Sequence, residues 1–546
     1  MKPLGAGTVF APRESAIEAL AEAAPARNRV RFLALGIFAV LLLLAGRAVQ
    51  LALSGDPLAE PRRVAIAATP RADIVDRNGV LLATTLRAYV LTATPSRVWN
   101  AAETAAALHR VFPDLDRAAT VRRLSDRSRQ LVYLRRSLSE GERAQVHELG
   151  LAGIGFEAEN RRVYPQGAMA AHVLGFTDID LNPLAGVERG LDAQIRAAGE
   201  AGRTVRLSLD VRIQYALETE LDAAARAAGA SSAAGVLLDA RTGEALALAS
   251  WPRFNANDAG AASDTVRRDR VAGDVHELGS TIKPFTVAMA LQEQVTSSGE
   301  LFDLSQPFDI DGHVIEDHQP IRGLASLRDI LARSSNVGAA RLALRLGAAR
   351  QRTYLERLGL TQPARLELGY NEAPLAPRTR GRRDVAGLGF GYGLAATPAA
   401  LAGAYTVFAN QGAVVAPTLI ARAPDAEVER RQVFTPDVTR QVLSYLRAAV
   451  VDGTGRAADV SGLAVAGKTG TAEKWGAQSG YDDSRNFSSF AGVFPAHDPR
   501  YVIVVALDDT REGAAGGAVA APVVARTLRR IAPMLGLRLE PGPAAR

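Results

Sequence analysis

The first long apolar run, FLALGIFAVLLLLAG at Phe32–Gly46, continues beyond Arg47 to Leu53. Counted to Leu53 it is long enough to cross a bilayer core, with Arg47 able to extend its head group outward. Arg27, Arg29 and Arg31 precede it, which predicts a single-pass anchor with a cytoplasmic N-terminus and everything after Leu53 exported. The polar lead-in from Met1 and the break at Arg47 argue against a cleaved signal peptide. Residues 1–31, Pro/Ala-rich and charged, are expected to form a disordered tail. Beyond the anchor, PRADIVDRNGVLLATT (Pro70–Thr85) alternates around Asn78-Gly79 and predicts a hairpin. Helical patterns follow near Ala101–Leu124 and Ser137–Leu149. From about Thr204 the texture changes. AGVLLDARTGEALALASW (Ala234–Trp251) predicts two buried strands around a tight turn at Arg241-Thr242-Gly243. LAVAGKTGTAEKW, FSSFAGVFPA and YVIVVALDD predict three more near the other end, and the stretch between is mostly helical, as at Leu324–Leu346 and Pro398–Ala409. Two strand groups flanking a helical middle predict one sheet built from both ends of a domain with helices packed on it, an α+β fold.

Composition removes several function classes. The chain is long enough for two or three domains, and its net charge of +6 is modest for 546 residues. The arginines are spread out with no aromatic-interleaved stripe, so no nucleic-acid groove is expected. There is no cysteine, hence no disulfide, and the seven histidines are scattered. His276-Glu277 opens like a zinc-protease helix, but the residue four positions after His276 is Ser280, so no metal site is expected. GLGFGYG (Gly387–Gly393) lacks the Lys-Ser/Thr that completes a phosphate loop and is read as shaping the floor of a site.

Lysine usage changes the picture most. Of 64 basic residues only Lys2, Lys283, Lys468 and Lys474 are lysines. Arginine cannot lose its proton in a protein, whereas a desolvated lysine beside another cation can, so the retained lysines are candidates for chemistry. Ser280-x-x-Lys283 places a lysine one turn after a serine, on the same face and within reach of its hydroxyl. Pro284 fixes this at a helix start, where the dipole favours a developing alkoxide. Ser334-x-Asn336 brings a hydroxyl and an amide between helical segments. Lys468-Thr469-Gly470-Thr471 lies at a strand end, where Gly470 would admit another backbone and the edge could pair with an extended peptide. Each motif alone recurs by chance; the three together, in this order behind an export anchor, do not.

The order resembles that of penicillin-binding proteins and serine β-lactamases. RVYPQGAMAAHVLGFTD, GVERGLD, SLDVRIQ, GFGYGLAATP and FSSFAGVFPA further resemble signature blocks of the class B penicillin-binding proteins, the monofunctional peptidoglycan D,D-transpeptidases. The compact length is most similar to the cell-division (penicillin-binding protein 3) branch; an elongation-type transpeptidase is the alternative. The resemblance implies a tail (1–31), an anchor (32–53), an elongated pedestal of the dimerisation type (54–203), a transpeptidase domain with a helix-flanked antiparallel sheet (204–535) and a short tail (536–546). It implies an inner-membrane protein with a periplasmic catalytic domain. It implies Ser280 as the nucleophile on a stem pentapeptide, Lys283 as its base, and Lys468 as the charge that keeps Lys283 neutral. Ser334 would relay the proton to the leaving amine, Asn336 would hold the substrate amide, and Thr469 and Thr471 would hold the terminal carboxylate. The backbone N–H groups of Ser280 and Thr471 would form the oxyanion hole. No cofactor is implied. The implied partners are stem pentapeptides, β-lactam antibiotics, the septal glycosyltransferase of the SEDS family and other divisome membrane proteins. Two residues depart from the blocks, Leu278 where proline is usual and Ala72 where glycine is usual, and both bear on loop shape. Glu367 and Asn371 match the spacing of a β-lactamase deacylation pair and are read as coincidence. An inactive divisome scaffold is disfavoured because every motif residue is intact.

Overall fold

The computed structural model describes residues 14–53, 71–375, 381–476, 480–510 and 516–539. The first 13 residues, the start of the expected pedestal (54–70) and the last seven residues of the expected C-terminal tail lie outside them. Helix α1, Glu14–Leu53, runs unbroken for 40 residues. The expectation of a disordered segment through residue 31 is therefore corrected: Ala, Glu and Arg dominate 14–31, and their helix propensity carries the helix through Pro25. Within α1, Arg31–Gln50 has a mean hydropathy of 2.4 and is, among the described residues, the one stretch long and apolar enough to cross a membrane.

The unit from residue 71 begins with the predicted hairpin, β1 (Ile74–Val75) against β2 (Leu81–Ala93). Asp76 accepts hydrogen bonds from the backbone N–H groups of Asn78 and Val80, and Gly79 takes the positive φ of 90° that the turn requires. The helical stretch predicted to Leu124 is two helices, α2 (Ala101–Val111) and α3 (Arg117–Ser125). Pro113 cannot continue α2, and Asp116 caps α3. Strand β3 (Val132–Leu138), helix α4 (Glu140–Glu148) and strand β4 (Ile154–Val163) complete this region, both strands pairing with β2. Strand β5 (Val205–Arg206) then pairs with β1 in parallel. The tip has its own core, including Leu91, Leu108, Phe112 and Leu134. The base, including Ile74, Leu82, Val187 and Ile195, shares one core with the domain that follows.

Three of the sequence blocks meet at that base. Glu188, fully buried, accepts from Arg71 (Nε, 3.0 Å) and Arg162 (Nε, 2.7 Å), while Arg71 also pairs with Asp192. A charge with this little exposure needs partners of opposite sign, and here residues far apart in the sequence supply them. Ala72, where glycine is usual, sits in the core with its N–H bonded to Ile195, so the departure costs the loop nothing visible.

Helix α5 (Val211–Ala228) leads into strands β6 (Ser232–Asp239) and β7 (Ala245–Trp251). Next come β8 (His276–Glu277), α6 (Lys283–Gln292), α7 (Leu327–Ala332), α8 (Asn336–Leu358), β9 (Ala395–Ala396) and α9 (Pro398–Ala409). The chain ends through α10 (Pro436–Val451), β10 (Ala466–Gly476), β11 (Gly480–Phe494), β12 (Tyr501–Thr510) and α11 (Gly516–Ile531). The main sheet runs β10-β11-β12-β6-β7, antiparallel throughout, so the two ends of the domain do build one sheet, joined where β12 pairs with β6. Residues pointing alternately to the two faces enter different cores. Leu237, Ile503 and Phe490 pack against α5 and α11, whereas Val236 and Val504 face the core of α6 and α9. Strand β10 closes the sheet as an edge.

Candidate active site

Ser280 lies in a single 3-10 turn, Gly279–Ile282, that runs directly into α6. Pro284 at the helix start and the apolar body of α6, buried from Lys283 to Ala290, fix this turn on the core as the sequence predicts. Two further contacts lock it. The Tyr405 hydroxyl, on buried α9, donates to Thr281 O at 2.8 Å, and Thr281 Oγ1 donates to Leu278 O at 2.6 Å. Leu278 has φ −70°, a value proline would also take, and its N–H donates to Leu394 O, a bond proline could not make. The departure from the family block thus keeps the loop shape and adds a hydrogen bond.

Lys283 is fully buried, and its Nζ bonds Ser334 O (2.5 Å), Asn336 Oδ1 (2.7 Å) and Ser334 Oγ (3.2 Å). Ser334 Oγ in turn is 2.9 Å from Ser280 Oγ. The direct reach from Lys283 to Ser280 expected from helical spacing is therefore corrected: the Ser334 hydroxyl stands between them. Ser334 can do this because it holds a left-handed backbone, φ 61°, in the break between α7 and α8. Both ends of the Asn336 amide are engaged, Oδ1 by Lys283 and Nδ2 by donating to Glu316 O at 3.1 Å, which leaves one amide N–H for a ligand.

Sequence reasoning missed the segment that holds this arrangement. Asp317 accepts from the backbone N–H groups of Asn336 (2.5 Å) and Val337 (3.0 Å) and from Ser335 Oγ (2.6 Å). It thereby fixes the start of α8, and with it Asn336. Nothing periodic marks IEDHQ as such a partner.

Burial drives the Lys283 ammonium well below its ordinary range, the charge of Lys468 pushes it further, and Asp317 partly restores it. Lys468, fully buried on β10, is pushed by burial down to about 7 from 10.5. Its Nζ donates to Thr469 O at 3.0 Å. The shift at Lys468 has a thermodynamic consequence. Between about 7 and 10.5 the unfolded chain binds a proton at Lys468 that the folded chain does not, so stability falls as pH falls through that window and levels off below it. Lys468→Met removes the effect. The melting temperature of the variant minus that of wild type should rise as pH drops across this window in thermal melts; a pH-independent difference would show that Lys468 keeps its ordinary basicity.

Ser280, Ser334, Asn336, Thr469 and Thr471 line one cavity of about 660 Å³, joined by Thr454, whose hydroxyl bonds that of Thr469 at 2.7 Å. Phe390 and Tyr392 of the GLGFGYG stretch line it as well, as expected of a floor. Gly391 and Gly470 explain themselves by contact. A Cβ on Gly391 would lie 2.1 Å from Gly279 O, and one on Gly470 would lie 2.4 Å from Ser489 Oγ and 2.9 Å from Thr281. Gly470 thus lets β10 seat on the nucleophile turn, with Leu278 O only 3.3 Å from where its Cβ would be, so the backbone it admits includes that of the turn itself. His276 stacks on Phe487, with ring centroids 4.1 Å apart. Glu367 is spent on Thr418 Oγ1 and Leu419 N, and Asn371 donates to Leu366 O. Neither lines the cavity, so their β-lactamase spacing is coincidental.

These features coincide with known families. Residues 233–529 match the penicillin-binding protein transpeptidase domain, and residues 66–197 match the penicillin-binding protein dimerisation domain. The chain therefore belongs to the penicillin-binding protein transpeptidases, in the class B arrangement of a dimerisation domain followed by a transpeptidase domain. Among named relatives, the probable peptidoglycan D,D-transpeptidase FtsI of Caulobacter vibrioides is 41% identical over 483 residues, covering 86% of this chain and 82% of that protein. The peptidoglycan D,D-transpeptidase FtsI of Escherichia coli K12 is 31% identical over 493 residues, covering 84% and 83%. The crystal structure of penicillin-binding protein 3 from Mycobacterium tuberculosis complexed with aztreonam superposes with a TM-score of 0.68 at 26% identity, covering 86% of this chain and 97% of that one.

Proposed function

We propose that this protein is the peptidoglycan D,D-transpeptidase of cell division, acting through a Ser280 acyl-enzyme. The observation that carries the chemistry is the hydrogen-bonded line Ser280 Oγ–Ser334 Oγ–Lys283 Nζ beside a cavity that Thr469 and Thr471 of the edge strand β10 also line. Hydroxyl hydrogens rotate freely, so with Lys283 neutral the Ser280 proton passes to Ser334 while the Ser334 proton passes to Lys283 Nζ. Ser280 Oγ forms an ester with the penultimate D-Ala carbonyl of a stem pentapeptide. The peptide C–N bond breaks, and the terminal D-Ala leaves with the proton returned through Ser334. The Thr469 and Thr471 hydroxyls line the cavity, with Lys468 Nζ 3.5 Å from Thr469 Oγ1, and suit the substrate's terminal carboxylate. The backbone N–H groups of Ser280 and Thr471 serve the developing oxyanion. An amine from a second stem then resolves the ester as a cross-link. β-Lactams occupy the same serine.

In this reading residues 32–53 anchor the protein in the inner membrane with its N-terminus in the cytoplasm. Residues 54–203 form the pedestal and 204–535 the catalytic domain, both periplasmic. The partners are the septal SEDS-family glycosyltransferase, which supplies nascent glycan, and other divisome membrane proteins. The names of the FtsI relatives support the division branch over the elongation branch. Depletion of the protein in its own cell should give long, unseptated cells of normal width; rounded, widened cells would place it in elongation instead.

A further inference from the structure

Transpeptidation needs room for two stems, and a second cavity adjoins the first. It measures about 830 Å³ and shares His318, Asn336, Phe390 and Tyr392 with the cavity of Ser280. The two differ in charge. The first is lined by hydroxyls over buried amines, which suits a carboxylate. The second is lined by Glu277, Glu316, Asp317 and Asp384, with Arg383 and two histidines. Most of these acids are placed for other work. Asp317 spends both oxygens on the start of α8, Asp384 accepts from Gly381 N, and Glu316 is an exposed rim residue.

Glu277 is different. It sits three residues before the nucleophile, on β8, which pairs with β9 through Ala395. Its Oε1 accepts from Gly393 N at 2.9 Å, which fixes the side chain at the cavity wall, and among the described residues Oε2 has no protein partner and no ion pair. Half-burial raises its basicity above that of an ordinary carboxylate. A proposed acyl-enzyme on Ser280 must be attacked by an amine, and at neutral pH that amine arrives protonated and unreactive.

We infer that the second cavity is the subsite of the amine acceptor and that Glu277 Oε2 takes the acceptor's ammonium proton. This rests on the transpeptidase reading above. The ammonium N–H proton passes to Oε2, and the freed nitrogen attacks the ester carbon. A C–N bond forms, the bond from that carbon to Ser280 Oγ breaks, and the second nitrogen proton reaches Ser280 through Ser334. Glu277 then releases its proton to solvent. Atoms and charge balance without a cofactor.

The test is Glu277→Gln, which keeps the shape and the acceptor for Gly393 N–H while removing the base. Three rates are measured on the full-length protein: acylation by a penicillin, and transfer from a D-alanyl thioester donor to D-alaninamide or to hydroxylamine, each relative to hydrolysis. D-Alaninamide must lose a proton before it attacks; hydroxylamine is already largely neutral. Transfer to D-alaninamide should fall by at least ~10-fold, while penicillin acylation and transfer to hydroxylamine, neither of which needs this base, stay within about twofold. An unchanged D-alaninamide ratio would overturn the inference, as would equal loss with both amines or a parallel loss of acylation, either of which would make Glu277 structural. A wild-type protein that no penicillin acylates would overturn the transpeptidase reading and this inference together.

Discussion

Ser280→Ala eliminates covalent labelling by a penicillin and leaves the protein folded. The turn that carries Ser280 is held from outside the side chain, by the Tyr405 hydroxyl on Thr281 O, by Thr281 Oγ1 on Leu278 O and by the buried α6 behind it. The substitution removes the 2.9 Å hydrogen bond from Ser334 Oγ, a hydroxyl that can turn to solvent in the cavity. Ser334 is the nearest hydroxyl that could take over, but its backbone holds it over Lys283 as an intermediate link. Mass spectrometry of the variant after penicillin treatment, with a thermal melt as control, checks this. An adduct formed at the wild-type rate would remove Ser280 as nucleophile.

Lys283→Arg loses at least ~10²-fold in the rate of penicillin acylation, because a guanidinium keeps its proton at any workable pH and general-base assistance is worth about 10²–10⁴-fold. The structure also sets the control. Lys283 is fully buried among Ser334 O, Ser334 Oγ and Asn336 Oδ1, so a larger, permanently charged head group strains the site and lowers the melting temperature as well. Lys283→Met, apolar and of similar length, separates the two effects. If Lys283 is the base, Met and Arg are comparably inactive although only Arg carries charge. If the residue supplies charge alone, Arg retains acylation within a few-fold of wild type and Met does not.

The parts of this site that could be read from the sequence are those in which spacing and burial say the same thing. Ser280, Lys283 and Pro284 lie within five residues of an apolar run, so the pattern that builds α6 also delivers the chemistry. The scarcity of lysine identified Lys283 and Lys468 because burial makes a deprotonatable cation rare and useful. The five strands of the main sheet were legible because each alternates or runs apolar between turn residues. What escaped was non-local or depended on backbone conformation. Asp317 meets Asn336 from 19 residues away in a segment without periodicity. The bridging place of Ser334 follows from a φ of 61°, which no spacing rule assigns to serine. Arg71 and Glu188 find each other across 117 positions, and their motifs were recognisable only as family blocks. The helical start at Glu14 is masked in the sequence because the charges and Pro25 obscure the helix propensity of its Ala and Glu residues.

The glycines behind the nucleophile have a consequence for antibiotic selection. Gly391 presses on Gly279, Gly470 on Ser489 and Thr281, and a Cβ on Gly516 would lie 2.2 Å from Gly470 O. The Ser280 turn is therefore packed against Gly391, and β10 against Gly516, with no room for a Cβ, so a side chain added at either glycine would displace backbone that the site depends on. Clones that survive a β-lactam with this enzyme still working are expected to draw their substitutions from cavity-lining positions that already carry side chains, such as His318, Gln319 and Arg333. Target alteration that spares activity is therefore expected at those side chains rather than at the glycines, and an inhibitor whose contacts stay with the backbone of β10 and the Ser280 turn gives selection the least to act on.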